Sequence, residues 1–160
     1  MNKKYLFYII FLFIILLVIL IDQLTKYWVM ALLRPGQSIS LFSDYIYITY
    51  VFNEGGAFSL FSNFSGMFIF MGFFIPVLII FFFNAIAKKG RLWIISAGLI
   101  VGGAFGNLFD RLKYGHVIDF INVRIWPIFN FADIAISLGI IVLFIQILRE
   151  ERTKNAQGPV

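Results

Sequence analysis

Tyr5-Leu6-Phe7-Tyr8-Ile9-Ile10-Phe11-Leu12-Phe13-Ile14-Ile15-Leu16-Leu17-Val18-Ile19-Leu20-Ile21 is seventeen residues without one charge. The apolar pattern then runs on through Asp22 and Lys26 to about Met30. A helix of roughly 20 apolar residues crosses about 30 Å of hydrocarbon, so this stretch reads as a membrane span. Lys3 and Lys4 ahead of it resemble the start of a secretory leader. The apolar core is longer than a usual leader, however, and Asp22-Gln23-Leu24-Thr25-Lys26 follows where a small-residue cleavage site would stand. The segment is expected to be a retained helix.

Working outward, three more runs have the same character: about 67–87 with Pro76 inside it, about 92–109 rich in glycine, and about 128–148. The expected fold is an all-α membrane protein, one integral domain over residues 1–160, with four transmembrane helices (about 5–30, 67–87, 92–109 and 128–148). Composition agrees. Of 160 residues, 61% are hydrophobic, 13% are charged and 21 are Phe. A soluble domain of this size cannot bury so much apolar surface. Disorder needs the opposite composition.

The connections are unequal. Residues 31–66 and 110–127 form the outer cap, and Tyr45 to Phe52 and Val117 to Ile121 within them are rich in strand formers. The cap is therefore expected to be part β. Residues from Thr153 to Val160 read as a frayed tail.

Charge sets the expected orientation. The two ends and the short 88–91 loop carry eight bases against Glu150 and Glu151, a balance of +6. The other side carries five bases against six acids, a balance of −1, and the two make the overall +5. Basic loops stay in the cytoplasm, which places both termini there and the cap outside. Trp28 and Trp126 would then mark the outer interface and Trp93 the inner one. The same placement explains a pI of about 9.6 without invoking nucleic acid.

Ionisable residues beside lipid are costly, so their positions carry functional information. Asp22, Asp110 and Asp133 fall at the outer ends of helices, and Asp119 lies fourteen positions before Asp133 across a short loop. Two carboxylates a few ångströms apart share a proton, which suits a general base and a general acid. The plainer alternative pairs Asp119 with Arg111 or Arg124 and uses Asp133 as a helix cap. Gly103, Asn107 and Arg111 share a helix face with Asp110 beside them, and Asn130 is one turn before Asp133. Gly102, Gly103 and Gly106 are expected to serve close helix packing. Asp22 and Lys26 at i, i+4 are expected to pair near the interface, with Lys26 snorkelling outward. With no Cys and one His (His116), thiol chemistry and a His-rich metal site have no residues to use, and a Ser-His relay lacks a His within any span. His116 reads as a solvated or interfacial side chain.

Five ordered blocks complete the pattern: Asp22-Gln23-Leu24-Thr25-Lys26, Asn53-Glu54-Gly55-Gly56-Ala57-Phe58, Gly106-Asn107-Leu108-Phe109-Asp110-Arg111, Val117-Ile118-Asp119-Phe120-Ile121 and Phe129-Asn130-Phe131-Ala132-Asp133. On these the chain resembles the bacterial lipoprotein signal peptidase family, also called signal peptidase II. The resemblance implies a membrane aspartyl endopeptidase of the bacterial plasma (inner) membrane. Such an enzyme cuts the signal peptide from diacylglyceryl-modified prolipoproteins just before the lipidated Cys. It implies Asp119 and Asp133 as the catalytic pair, supported by Asp22, Asn53, Gly103, Asn107, Asp110, Arg111 and Asn130. It also implies a β-cradle and a surface helix within 31–66. No metal or other cofactor is expected, and Glu54 has no assigned role. The expected partners are diacylated prolipoprotein and membrane lipid, not nucleic acid, with the chain itself monomeric. Two competing classes are a proton- or cation-coupled carrier using Asp22, Asp119 and Asp133, and a structural subunit. Carriers usually hold their acids near mid-bilayer, and a structural subunit leaves the paired acids unexplained.

The charge asymmetry generates a labelling prediction. In this cysteine-free chain, Lys89→Cys should react with a membrane-impermeant thiol reagent only after the cell is opened. His116→Cys should react in intact cells, or in spheroplasts where an outer membrane intervenes. The reverse pattern would invert the orientation.

Overall fold

The computed structural model describes residues 3–42, 45–54 and 65–156. Asp44, residues 55–58 of the second motif, residues 59–64 of the 31–66 segment expected to hold a surface helix, and residues 157–160 of the tail lie outside them. In chain order the elements are α1 (Lys3–Leu32), β1 (Ser38–Phe42), β2 (Ile46–Asn53), α2 (Ser65–Phe81), α3 (Phe83–Lys89), α4 (Arg91–Tyr114), β3 (Val117–Asn122) and α5 (Phe131–Ala156).

Helices α1, α4 and α5 are each long and apolar enough to span a membrane, and α2 with α3 forms a fourth candidate bent by 62° at its break. That bend differs from the expected single helix kinked at Pro76. Pro76 sits inside a continuous α2, whereas Phe82 takes the sparsely allowed bridge conformation (φ −87°, ψ 8°). The turn swings Phe83 inward, where its ring lies 4.5 Å from that of Phe11 and 4.7 Å from that of Tyr8.

Three helix limits also differ from the sequence reading. Helix α4 runs five residues past 109 and closes on Gly115, which takes a left-handed φ of +82°. Asp110 and Arg111 therefore belong to a helix and not to the outer cap. Helix α5 starts at Phe131, not at 128, and continues through Thr153 to Ala156, so that part of the tail is helical.

Helix α4 is the centre, packed against α1, α2 and α5. Its glycines allow this. A Cβ on Gly98 would stand 2.9 Å from Ile14 Cγ2, one on Gly102 2.8 Å from Val18 Cβ, and one on Gly106 2.6 Å from Asp22 Oδ2. These three recur every four residues and form the stripe that receives α1. Gly103 faces the other way, where a Cβ would stand 2.5 Å from Ala132 O of α5. The outer helix faces are apolar and open: Leu12, Phe13 and Leu16 of α1, Phe70 and Phe73 of α2, and Ile140, Ile141 and Phe144 of α5 are all exposed. An apolar exterior of that extent needs lipid as its solvent.

The strands form one antiparallel sheet in the order β1-β2-β3. Strand β1 pairs β2 over the register Ser38↔Thr49, and β2 pairs β3 with Val51 opposite Asp119 and Asn53 opposite Val117. Strand β3 is covered on both faces. Ile118 and Phe120 pack on Val29, Leu33 and Tyr50, while Val117 and Asp119 face a cavity on the opposite side, as strand alternation requires.

Overpacking a close helix contact costs about 1–3 kcal/mol. Gly102→Val should therefore lower the melting temperature in detergent by several degrees, since the contact it meets is the fixed Cβ of Val18 and the backbone oxygen of Ile15. Gly66→Ala, with nothing within 4 Å, should leave it nearly unchanged.

Candidate active site

The cavity beside β3 has a volume of about 280 Å³ and is lined by Asn53, Asn107, Arg111, Asp119 and Asp133 among others. Four elements converge to build it. Asn53 ends β2, Asp119 is the third residue of β3, Asn107 and Arg111 lie one turn apart on α4, and Asn130 and Asp133 open α5.

Helix α5 begins with a reciprocal cap. The Asp133 N–H donates to Asn130 Oδ1 (2.9 Å), and the Asn130 N–H donates to Asp133 Oδ2 (3.2 Å). This satisfies two backbone donors that a helix start leaves unpaired. It also fixes the direction in which the Asp133 carboxylate points. The remaining Asp133 oxygen, Oδ1, accepts from Asn107 Nδ2 at 2.8 Å.

Asp119 is held from two sides. Asn53 Nδ2 donates to Oδ2 and Asn130 Nδ2 to Oδ1, both at 2.7 Å. Asn130 Nδ2 also donates to Asn107 Oδ1 at 2.9 Å. A continuous chain thus runs from Asn53 through Asp119, Asn130 and Asn107 to Asp133. Asp119 is 2% exposed. Burial first, and then the charge of Asp133, push its carboxyl up to about 6, against the lowering effect of Asn53, Asn130 and Lys26.

Behind this chain lies an ion cluster. Lys26 Nζ is 2.9 Å from Asp22 Oδ2 and 2.7 Å from Asp110 Oδ2, and all three side chains are 1% exposed or less. The expected outward snorkelling of Lys26 is therefore incorrect. Lys26 lies on the stripe of α1 that buries Phe11, Ile15, Val18, Asp22 and Val29, and two carboxylates pair it there. Gln23 joins the cluster, donating to Asp22, Asp110 and the Gly106 carbonyl. Asp22 Oδ1 accepts the Ala132 N–H at 3.0 Å, and Asp110 Oδ2 accepts the Ile118 N–H at 3.1 Å.

Every supporting residue named from the sequence lies in or against this network. The plain alternative holds in one half: Asp133 does cap α5, but Asp119 forms no ion pair with Arg111 or Arg124. Arg111 donates to the Asn107 carbonyl at 3.3 Å with Phe68 against its guanidinium. Arg124 lies over Tyr47. His116 is half-buried against Phe52. Sequence reasoning missed Gln23 and Lys26 as parts of the site. The available signal was a single base, Lys26, among the acids Asp22 and Asp110 with no other cation nearby on α1.

Membrane helices around a small sheet, with two aspartates from separate elements on one cavity, define the class as a multi-pass membrane protein with a carboxylate pair. Comparison with known proteins makes it specific. The family model described as signal peptidase (SPase) II matches residues 14–149. Among curated relatives, the lipoprotein signal peptidase of Moorella thermoacetica is 40% identical over 138 residues, covering 86% of this chain and 92% of that protein. That of Syntrophomonas wolfei is 45% identical over 141 residues, covering 86% and 94%. A solved bacterial membrane enzyme that is 30% identical superposes with a TM-score of 0.85, covering 90% of each chain. The chain belongs to the signal peptidase II family, a family of aspartic peptidases.

The raised Asp119 carboxyl has a consequence for stability. A carboxyl whose folded value lies above its unfolded 3.8 holds its proton more tightly when folded. The folded state is therefore favoured at low pH, and that advantage is lost as pH rises from about 4 to about 6. At roughly 1.4 kcal/mol per pH unit the loss is on the order of 2–3 kcal/mol. Melting temperatures measured from pH 4 to 7 should show wild type falling relative to Asp119→Asn over that interval and running parallel above it.

Proposed function

We propose that this protein is a membrane aspartyl endopeptidase that removes the signal peptide from diacylglyceryl-modified prolipoproteins, cutting immediately before the lipidated Cys. Asp119 and Asp133 are its catalytic pair, with Asp22, Asn53, Gly103, Asn107, Asp110, Arg111 and Asn130 in support. The observation that carries the reading is the shared cavity, in which two carboxylates from different elements are tied together through Asn130 and Asn107.

The chemistry follows from the differing environments of the pair. Asp119, raised to about 6, is the carboxyl that keeps the shared proton and donates it toward the scissile carbonyl oxygen. Asp133 is the base: it takes a proton from water as the water oxygen adds to the carbonyl carbon. As the tetrahedral intermediate collapses, Asp133 gives its proton to the leaving amine and Asp119 takes back the proton of the hydroxyl that becomes the new carbonyl oxygen, so both carboxyls end as they began. Arg111 and Asn53, on the cavity wall, offer donors to an extended substrate backbone. No metal or other cofactor enters these steps.

Access fits a substrate that diffuses in the membrane plane. Asp133 borders two further apolar grooves, of about 490 and 530 Å³, one on each side of α5. A lipid-anchored peptide can approach along them while the polar cavity stays open to water. In the full reading α2 and α3 act as one bent span, which makes four crossings. Both termini lie in the cytoplasm, and the sheet lies on the outer face of the bacterial plasma membrane.

The test is cleavage of a diacylated prolipoprotein by the purified protein, followed by gel shift beside the unlipidated substrate. Asp119→Asn and Asp133→Asn should each abolish turnover, and the double variant should be hardly worse, because groups acting as a unit are non-additive. Substrate binding should survive, and wild-type activity should show a bell-shaped pH profile indifferent to chelators. Substantial cleavage by either purified Asn variant would remove the aspartyl assignment.

A further inference from the structure

Beyond the carboxylate pair and the supporting residues already named, one buried group has no part in the steps above. We propose that Lys26 is a positioning residue of this site: donating from its buried cluster to Asn107 Oδ1 (3.2 Å), it orients the Asn107 amide so that Nδ2 holds Asp133. This rests on the reading of Asp119 and Asp133 as the catalytic pair.

The argument is one of hydrogen-bond polarity. An asparagine amide can turn over, exchanging its oxygen and nitrogen, so a chain of asparagines does not by itself choose a direction. Two groups at the ends of this chain can only donate. One is the Asp133 backbone N–H, which requires the oxygen of Asn130. The other is the Lys26 ammonium, which requires the oxygen of Asn107. With Asn107 reversed, its NH2 would face both Lys26 and the Asn130 NH2, and its oxygen would face the Asp133 carboxylate. The observed direction leaves every donor opposite an acceptor, and no buried side-chain polar atom among the described residues lacks a partner.

Lys26 can serve in this way because it cannot move. The carboxylates of Asp22 and Asp110 occupy its other two proton directions at 2.9 and 2.7 Å. Those carboxylates are themselves pinned by the Ala132 and Ile118 N–H groups. Ile118 adjoins Asp119 in β3, and Ala132 adjoins Asp133 in α5. The lysine cluster thus grips the backbone next to each member of the pair.

Its charge also reaches the site. Among the described residues, the ionisable groups that bear on the pair or its lysine cluster are Asp22 and Lys26 from α1, Asp110, Arg111 and Lys113 from α4, Tyr50 from β2, and Asp119 and Asp133 themselves, while α2 carries none. Removing Lys26 deletes a cation from this set, so the Asp119 carboxyl should then hold its proton to higher pH.

The experiment measures kcat, KM and their pH dependence for cleavage of a diacylated prolipoprotein by purified wild type, Lys26→Met and the charge-balanced Lys26→Met/Asp110→Asn. The expected result is a fall in kcat of about tenfold to a hundredfold, as when partners behind a functional group are removed. KM should stay within about twofold, and the alkaline limb of the kcat profile, set by the proton that Asp119 keeps, should move to higher pH in Lys26→Met. A folded Lys26→Met protein with wild-type kcat and an unmoved alkaline limb would overturn the proposal. Asp119→Asn in the same series separates the two readings: its inactivity keeps the catalytic pair whatever Lys26 does, and its activity removes both. A measurement independent of Lys26 variants uses 15N-lysine in the otherwise unmodified protein. A slowly exchanging ammonium resonance should be present and should shift on Asn107→Ser. The absence of such a resonance, or its indifference to that change, would equally overturn the proposal.

Discussion

Three helices meet at one buried carboxylate. Asp22, fully buried, accepts from Lys26 and Gln23 of its own helix with Oδ2, while its Oδ1 accepts the Ala132 N–H that opens α5. Helix α4 reaches the same point only because Gly106 presents no side chain. A charge in such surroundings is tolerable when paired and fully hydrogen-bonded, and strongly destabilising when one partner is lost. The junction therefore has little freedom. It sets how far α5 can rise along α1, and with that the height of Asp133. The glycine stripe of α4 sets the lateral spacing, and the two constraints together fix the cavity that β3 closes from above.

Much of this architecture was legible in the sequence because lipid makes the signal simple. A run such as Tyr5 to Ile21 has one plausible environment, and the spans followed from length and hydropathy. Strands β2 and β3 followed from their β-branched and aromatic residues. What hydropathy could not supply was the facing of each helix. On α1 nearly every residue is apolar, so no amphipathic stripe distinguishes the buried Phe11 and Ile15 from the exposed Leu12 and Leu16. Only Asp22 and Lys26 mark the inner side. Reading Lys26 as an outward-reaching residue discarded half of that mark. The break at Phe82 was also invisible, since Pro76 is the obvious helix breaker and the bend arises where Phe83 is drawn against Tyr8 and Phe11.

The site was legible for a different reason. Asp119, Asp133, Asn107 and Asn130 are expensive in this setting, and four such residues near one membrane surface require a common explanation. Their connectivity was not legible. That Asp119 would be held by asparagines and not by Arg111 depends on the sheet register, in which Asn53 lies two residues beyond the partner of Asp119 on the same strand face. The sequence reading left an ion pair and a dyad both open at this point. The geometry removes the ion pair, because Arg111 turns toward the Asn107 carbonyl and Phe68.

Asp133 has two duties that are usually separate. As a member of the α5 cap it is held by its own turn, with both oxygens already accepting N–H donors. As a wall of the cavity it must, in the reaction proposed for it, still meet a water or a carbonyl. These duties are compatible because a carboxylate accepts more hydrogen bonds than the two it has here. The cap uses one direction of Oδ2 and Asn107 one of Oδ1, which leaves others facing the cavity. A carboxylate on a mobile loop would have to be ordered each time it acted, at an entropic cost. Here the ordering comes with folding of the helix start, and the neutral asparagines around Asp119 and Asp133 position them without the ion pair that a nearby arginine or lysine would impose. That choice leaves Asp119 free to keep its proton up to about pH 6, a limit that an adjoining cation would lower.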